Sequence, residues 1–320
     1  MERWTSVEQA LRDPIPSVVT LGNFDGVHRG HQAVLGTVAR RGVEAGLRSV
    51  ALTFDPHPVA VLHPERAPKQ IISADYRLDL MAHSGLDATL LLTFTREFAQ
   101  LTPEEFVREV LVEGLQAALL IVGSDTRFGV RNSGDVDTLR TLGDRYGFEV
   151  ATHDIAGGQD EGARLWSSSV VRGALRQGDV AAAAEVLGRL HRVGGVVVHG
   201  HHRGREMGYP TANLSADCAG MVPADGVYAG WLERVELPAD HEDRRLPAAI
   251  SVGTNPTFTD VAVRTVEAYV LDRLDLDLYE EQVGIDFVAR LRGNIKFDSI
   301  DELQDQMAKD VAVCRSVLVG

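Results

Sequence analysis

Two histidines, His28 and His31, stand in a glycine-rich turn where a buried strand is expected to pass into a helix. The turn, residues 21–32, reads LGNFDGVHRGHQ. A helix N-terminus carries free backbone N–H groups and partial positive charge, which attract phosphate. Gly26 and Gly30 allow a ligand to approach the backbone closely. Two imidazoles there can donate hydrogen bonds as charge develops on phosphate oxygens, so the turn predicts electrostatic stabilisation of a displacement at phosphorus.

Two alternatives compete with this interpretation of the histidines. A single histidine near a helix start is commonly a polar cap, but a pair with flanking glycines favours phosphate handling. A zinc site formed by the pair with His57 is disfavoured, because the sequence supplies no clear third and fourth ligands. A Walker-type phosphate loop is excluded, because no G-x-x-x-x-G-K-[ST] motif occurs. The lysines, none of them in a glycine-rich turn, are Lys69, Lys296 and Lys309.

A second group of chemically useful residues lies in the segment 196–214, VVVHGHHRGREMGYPTANL. Closely spaced glycines can wrap the backbone around an anion, and arginines add planar donors. Thr211 and Asn213 offer hard oxygen ligands of the kind that Mg²⁺ shares with substrate phosphates. A glycine-rich hairpin with a proline turn would explain the glycines, but the ordered string GREMGYPTAN is more specific than that. The glycines and arginine of this string are Gly204, Arg205 and Gly208.

Glu267 is a carboxylate in an otherwise apolar, strand-like run, RTVEAYVL. One interpretation is a general base that takes a proton from an attacking hydroxyl group. The alternative is the solvent face of an alternating strand, where Arg264 would pair with Glu267.

The first half of the chain alternates between strand-like and helical patterns. Short apolar runs, typical of strands buried on both faces of a parallel sheet, occupy residues 17–21, 49–54, 88–94, 118–123 and 148–155. Helical patterns occupy residues 31–43 and 103–115, the second with Thr102 as its N-cap. The alternation predicts a doubly wound α/β domain. Because strand carboxyl ends form the ligand crevice of such folds, the polar motifs that follow four of these strands should meet at one edge.

The second half of the chain has a different pattern. Two helices are predicted over residues 166–189, the second capped by Asp179. After Gly188, strand-like segments separated by Gly, Pro, Asp and Asn predict a small antiparallel β-barrel. We therefore divide the chain into domains 1–185 and 186–320.

A final helix is predicted over residues 299–318. Ser299 and Glu302 are spaced as a capping box at its start. Apolar residues at helical spacing predict one buried face, formed by Ile300, Leu303, Met307, Val311 and Cys314.

Composition limits the class of protein. A length of 320 residues suits two domains, and a net charge of −14 argues against nucleic acid as a partner. Apolar runs are too short for a membrane helix, and the first residues lack the apolar core of a signal peptide. Two cysteines in unrelated contexts, Cys218 and Cys314, suit a reducing cytoplasm. The residues carry no signal for or against a homo-oligomer.

The motifs resemble a known family. H-x-G-H after a strand is similar to the nucleotidylyltransferase superfamily. LGNFDGVHRGHQ, with TFDPHP at 53–58 and SSSVVR at 167–172, looks like the FMN adenylyltransferase half of bacterial bifunctional riboflavin kinase/FAD synthetases. GREMGYPTAN and the closing RGNIKFDSIDEL resemble the riboflavin kinase half. The resemblance covers nearly the whole chain, with the motifs in the family's order.

The resemblance implies that the barrel phosphorylates riboflavin with ATP to FMN and that the α/β domain transfers AMP from ATP to FMN. His28 and His31 would contact ATP phosphates as catalytic groups. The other phosphate-side residues implied in this domain are Gly22, Asn23, Asp25, Gly30, Asp125, Ser167, Ser168, Ser169 and Arg172. Those implied near the flavin are Phe54, His57 and Pro58.

In the barrel the resemblance implies Glu267 as the base and Mg²⁺ held by Thr211 and Asn213, with ATP as co-substrate. The ATP-binding residues implied there are Gly204, Arg205, Gly208, Thr211 and Asn213. The segment GTNPTF, at 253–258, would lie beside the nucleotide and flavin. The flavin-binding residues implied are Tyr209, Pro256, Thr257 and Phe258.

The chain departs from the family pattern at three positions. Thr126 replaces an aromatic residue in GSDTRFG, which predicts looser packing under the crevice. Ser169 replaces a threonine and keeps the hydroxyl, and Glu280 replaces the glycine of a turn. Two other functions are weighed against the bifunctional one: a kinase with a weak adenylyltransferase, and a flavin and nucleotide sensor without turnover.

Overall fold

A computed structural model describes residues 1–153, 166–199, 208–254 and 264–320. The chain forms two compact units. The first comprises Met1–Lys69 with Ala74–Ser167, and the second Gln70–Ser73 with Ser168–Gly320. In this division residues 168–185 are grouped with the barrel. The domain boundary at 185/186 stays a prediction.

The first unit is built on a six-stranded parallel sheet, which confirms the doubly wound α/β prediction. Its strands are β1 (Glu2–Trp4), β2 (Ser17–Leu21), β3 (Arg48–Asp55), β4 (Ala88–Thr93), β5 (Ala117–Gly123) and β6 (Glu149–His153). The spatial order is β1-β4-β3-β2-β5-β6, so the strand order reverses between β2 and β5. Such a reversal opens a ligand crevice at the strand carboxyl ends. β2 and β3 are buried along nearly their whole length, because helices cover both faces.

The helices of this unit include both predicted ones and several that the sequence patterns did not reveal. They are α1 (Val7–Ala10), α2 (Arg29–Ala45), α3 (Pro58–Leu62), α4 (Ala74–Ala82), α5 (Pro103–Phe106) and α6 (Val136–Tyr146). In α2, Val34, Leu35 and Val38 are buried. Thr102 and Glu105 form a reciprocal capping box at the start of α5, which continues as a π-helical segment, Val107–Gly114.

The second unit begins with two helices, α7 (Ser168–Gln177) and α8 (Val180–Leu187). The predicted cap is confirmed, because Asp179 accepts a hydrogen bond from the Ala182 N–H at 2.9 Å. Arg290 of the barrel donates to the carbonyls of Gln177 and Asp225, which fixes the end of α7 on the barrel.

The predicted antiparallel barrel is confirmed and closed. Its strands are β7 (His191–Val198), β8 (Ala212–Leu214), β9 (Gly226–Arg234), β10 (Arg245–Thr254), β11 (Arg264–Val270) and β12 (Gln282–Arg292). They close in the order β10-β11-β8-β7-β12-β9. Burial alternates along β7 and β11, as expected for strands with one face toward a core. Tyr228 and Phe287 are fully buried.

The terminal helix, α9 (Ile300–Leu318), is confirmed with two corrections. Ser299 accepts from the Glu302 N–H, but the Glu302 carboxylate accepts from Asp298 rather than from Ser299. Ile300, the first residue of the helix, is 67% exposed, so it does not belong to the buried face; Cys314 is fully buried.

Candidate active sites

The histidine turn follows β2 and leads into α2, so both predicted histidines lie at the carboxyl edge of the sheet. His28 is the N-cap of α2, and its Nδ1 accepts a hydrogen bond from the His31 N–H at 3.4 Å. The two imidazole rings stack with centroids 3.6 Å apart. Because Nδ1 of His28 is an acceptor, the proton of the neutral ring is on Nε2. This tautomer presents the N–H donor that the phosphate hypothesis requires.

The electrostatics of this turn keep His31 neutral. Burial holds the pKa of His31 well below its usual range, and the charges of His28 and Arg77 act in the same direction. Its Nδ1 is buried and has no hydrogen-bond partner within the described ranges. Asp25, in the same turn, is also buried. His31 is therefore a neutral ring in this turn rather than a permanent positive charge.

A buried arginine of α4, Arg77, lies at the same edge and was not singled out from the sequence. It is only 3% exposed. Its Nη1 donates to the Asn23 carbonyl and its Nη2 to the Phe54 carbonyl, each at 2.9 Å. Burial lowers the pKa of Arg77, while the carboxylates of Asp55 and Asp25 counteract this. Its local sequence, DYRLDL, looks like an exposed helical surface. The sequence does not reveal the burial of Arg77, because its hydrogen-bond partners are backbone carbonyls of two remote segments.

A cavity of about 620 Å³ with aromatic walls opens at this edge. It brings together five predicted residues: Gly22, Asn23, Phe54, His57 and Pro58. Four further phenylalanines, which the sequence did not assign, complete its walls: Phe94, Phe98, Phe106 and Phe128. The Phe54 ring centroid lies 5.6 Å from that of Phe94 and 5.8 Å from that of Phe98. With Arg127 and Arg131 also lining it, the cavity suits a planar aromatic ligand that carries an anionic group.

Two predicted residues of this unit have structural roles that the sequence did not show. His57 is the N-cap of α3, with Nδ1 accepting from the Val59 N–H at 3.2 Å. Gly30 is buried in the first turn of α2. These positions are compatible with ligand contacts, which stay predictions.

The remaining predicted residues lie in two connecting segments. Asp125 is exposed in the turn after β5, and Thr126 is half-buried beside it. Phe128, two residues further on, provides the buried ring of this turn. The predicted serine motif marks the start of α7, where it contributes Ser167, Ser168, Ser169 and Arg172. Their roles toward phosphate stay predictions.

In the barrel, β8 and β11 bring the predicted kinase residues together. Glu267 is directly opposite Asn213 in the antiparallel ladder, so the two side chains share one face of the sheet. Asn213 Nδ2 donates to the Thr211 carbonyl at 3.1 Å and to Thr211 Oγ1 at 3.3 Å. The alternative partner of Glu267, Arg264, donates to Asp225 at 2.7 Å. The Glu267 carboxylate therefore lies on the same sheet face as Asn213, whose amide is bonded to Thr211.

Glu267 lies on the face of β11 that looks away from the barrel core. The neighbours in sequence, Val266 and Ala268, are buried in that core. A cavity of about 400 Å³ opens on the Glu267 face, and Tyr209 and Thr211 line it. The sequence did not assign the other wall residues, which include Tyr269, Asn294, Phe297, Leu303, Met307 and Val311. Three residues of the apolar face of α9 therefore line a pocket.

Several predicted barrel residues cannot be placed. Gly204, Arg205, Pro256, Thr257 and Phe258 lie outside the described residues. Gly208 is described and has a left-handed φ of 86°. The departure at Glu280 falls where the backbone has a left-handed φ of 64°, which a glycine would take without strain and a glutamate does not.

The donor set of the barrel site fits a cation that prefers oxygen. The hydrogen bonds from Asn213 Nδ2 orient its amide so that the oxygen, rather than the nitrogen, can coordinate. With the Thr211 hydroxyl, this gives only oxygen donors, which suits Mg²⁺. Over the ranges that the structure describes, no group of three His, Cys, Asp or Glu side chains could hold a metal ion.

The comparisons with known proteins match the α/β half and the barrel half of the chain to two different families. Residues 11–168 match the FAD synthetase family and residues 187–318 the riboflavin kinase family. Bifunctional riboflavin kinase/FMN adenylyltransferases of Escherichia coli K12 and Bacillus subtilis are 36% and 31% identical to the chain, over 93% and 92% of it and 91% and 90% of their own lengths. A crystal structure described as a macrolide-efflux protein from Streptococcus pneumoniae has a TM-score of 0.81 at 32% identity, over 95% of both chains. In the described ranges, no helix is long and apolar enough to cross a bilayer.

Fold and sites together define a class in which a nucleotidylyltransferase-like α/β unit and a closed barrel with a carboxylate site share one chain. The two family matches cover both units in that order. The chain belongs to the bifunctional riboflavin kinase/FMN adenylyltransferase family.

Proposed function

We propose that this chain makes FAD from riboflavin in two ATP-dependent steps, one in each unit. The observation that carries the proposal is Glu267, which lines the barrel pocket and is paired with Asn213 in the ladder, together with the stacked histidines beside an aromatic cavity in the other unit. Family membership supports both activities.

In the barrel, riboflavin would be phosphorylated on its primary alcohol. Glu267 is the general base that takes the hydroxyl proton as the oxygen attacks the γ-phosphorus of ATP, and ADP leaves. The aromatic and apolar wall formed by Tyr209, Tyr269 and α9 would hold the flavin ring and exclude water. Thr211 and Asn213 would hold Mg²⁺, which neutralises charge on the phosphates when it is bound.

In the α/β unit, a phosphate oxygen of FMN would attack the α-phosphorus of ATP, forming FAD and releasing pyrophosphate. No proton acceptor is needed, because the attacking phosphate is already ionised. The His28 and His31 N–H groups would donate to the phosphate oxygens, where negative charge increases in the transition state. The aromatic cavity beside them would hold the flavin ring, with Phe54, His57 and Pro58 among its walls.

The partners proposed are small molecules: riboflavin, FMN and ATP. A cytoplasmic location fits a chain with only two cysteines, in unrelated sequence contexts, and the ATP requirement. The charge of −14 disfavours nucleic acid as a partner.

The direct test is to incubate the purified chain with riboflavin, ATP and Mg²⁺ and to resolve riboflavin, FMN and FAD by chromatography over time. We expect FMN to appear first and FAD to follow. If only FMN appeared, the kinase assignment would be supported and the adenylyltransferase assignment would be contradicted. No conversion would contradict both and favour a binding protein.

A further inference from the structure

The Arg77 side chain links the two loops that carry the substrate-binding residues of the α/β unit. Its guanidinium donates at once to the Asn23 carbonyl, in the histidine turn after β2, and to the Phe54 carbonyl, at the end of β3 before the Asp-Pro-His-Pro turn. The last register pair of these two strands is Leu21 with Leu52. Arg77 therefore holds the chain where the β2–β3 ladder ends and the two loops begin to separate.

The geometry of this contact is rigid. A guanidinium is planar and presents its two Nη groups at a fixed spacing, so two carbonyls bound to it are held at one separation. The side chain is 3% exposed, and Asp55 lies 3.9 Å from Nη2. The Thr53 hydroxyl, which donates to the same Asn23 carbonyl at 3.3 Å, strengthens the link between the loops.

The two linked loops have different proposed ligands. The histidine turn faces the nucleotide phosphates, whereas Phe54, His57 and Pro58 line the aromatic cavity for the flavin. Reaction between two bound substrates depends on the alignment of their reacting atoms, and a misplacement of about 1 Å costs on the order of 10²-fold in rate. A residue that fixes the spacing of the loops therefore acts on turnover more than on the binding of either substrate.

We propose that Arg77 is a positioning residue for adenylyl transfer, which sets the separation between the nucleotide and the flavin phosphate by joining the Asn23 and Phe54 carbonyls. This inference rests on the function proposed above for the α/β unit. It assigns Arg77 no contact with either substrate.

The test compares three variants of the full chain in steady-state conversion of FMN and ATP to FAD. Arg77→Gln, whose shorter side chain has one amide nitrogen in place of the two-nitrogen fork, should lower kcat by about 10²-fold and change KM for FMN and for ATP much less. Arg77→Lys, whose ammonium can donate to both carbonyls, should recover part of the lost kcat. Leu78→Ala shortens a buried side chain of the same helix and leaves the Arg77 side chain in place, and it should keep its kcat at temperatures where thermal melting shows it to be folded.

The outcomes separate the possible failures. If the unaltered chain makes no FAD from FMN, the proposed function of this unit fails. If it does, and Arg77→Gln turns over at the same rate, the positioning role is overturned. Equal losses of kcat in Arg77→Gln and Leu78→Ala would mean that Arg77 acts only through the packing of its helix. A rise in KM at constant kcat in Arg77→Gln would mean that Arg77 contributes to substrate binding instead. Formation of FMN from riboflavin in the same samples should be unchanged.

Discussion

Individual side chains in the two units meet different chemical demands. The alcohol of riboflavin must lose a proton, so the barrel site needs a base, and a half-buried carboxylate on a rigid strand can provide it. FMN already carries an ionised phosphate, so the other site needs hydrogen-bond donors. We expect the stacked pair His28 and His31 to provide them, with His31 kept neutral by burial.

Replacing Glu267 by Gln should separate the two activities. The amide keeps the size of the side chain but cannot accept the hydroxyl proton, so formation of FMN from riboflavin should fall by about 10²–10⁴-fold. Formation of FAD from added FMN should stay the same. Glu236→Gln, at an exposed carboxylate in the same unit, is the matched control. FMN formation at the normal rate in Glu267→Gln would contradict the assignment of the base.

Replacing His28 by Asn should have the opposite pattern. Asparagine keeps a side-chain oxygen that can cap α2, so the change removes a phosphate donor while sparing the helix start. FAD formation from FMN should fall by about 10²–10³-fold, and riboflavin phosphorylation should be unaffected. The control is His83→Asn, at an exposed histidine next to the end of α4. Equal loss of both activities would mean that the units do not work independently.

The residues that sequence reasoning missed have a common physical cause. Single motifs such as HRGH or PTAN are contiguous, so their chemistry is visible in the sequence. Arg77 binds backbone carbonyls, which every residue has, and no sequence pattern marks them. The aromatic cavity likewise combines phenylalanines from separate segments, and only the fold brings them to one place.

At the scale of elements, a helix or strand could be predicted from the sequence when it was long enough for the spacing of its apolar residues to show a period. The five longer strands of the parallel sheet were predicted because apolar runs of five or more residues stand out. β1 and β8 have three residues each, too few for a period to show. α4 was missed because polar and apolar residues are mixed around it, and Arg77 is buried on what looks like a polar face. On α9, the stripe was predicted, but its role as a pocket wall depends on β11 lying opposite.

The barrel strand β7 gives a prediction for pH. His191, fully buried at its start, donates from Nε2 to the Met221 carbonyl at 2.7 Å. Burial lowers its pKa from 6.5 to about 4. Its Nδ1 is buried and unbonded within the described part of the chain, so protonation would place an uncompensated charge in the core.

Because the pKa of His191 is lower in the folded than in the unfolded chain, the unfolded state binds its proton first as pH falls. Stability is therefore complete above about pH 6.5 and is lost between pH 6.5 and 4, by on the order of 3 kcal/mol. Urea unfolding of the barrel, followed at pH 7 and pH 4.5, should show this loss in the unaltered chain. His191→Gln, which keeps a donor for Met221, should lose less; identical pH dependence in both would contradict the prediction.

At the scale of the whole molecule, each of the two pockets is lined by residues of one unit, although residues 168–172 of the predicted serine motif fall in the second unit. The histidine turn and the aromatic cavity belong to the first unit, whereas the Glu267 pocket belongs to the second. FMN is the product of one and the substrate of the other, so a chain defective in one step should be able to supply or use FMN made elsewhere.

Mixing two single variants tests this. His28→Asn should convert riboflavin to FMN and stop, and Glu267→Gln should convert only added FMN to FAD. Combined with riboflavin, ATP and Mg²⁺, the two proteins should produce FAD, because FMN released by one reaches the other. Each variant incubated alone is the control. A mixture that accumulates FMN without FAD would contradict exchange of FMN through solution.

The strand arrangement described for the two units also bears on how the protein resists aggregation. A closed barrel has no unpaired strand edge to which another molecule could add a strand. The open sheet does have edges, and one is β1, which is only three residues long and exposes Glu2 and Arg3 to solvent. A short, charged edge offers few backbone groups for intermolecular pairing. The same topology that builds the two sites thus limits the surfaces from which fibrillar assembly could start.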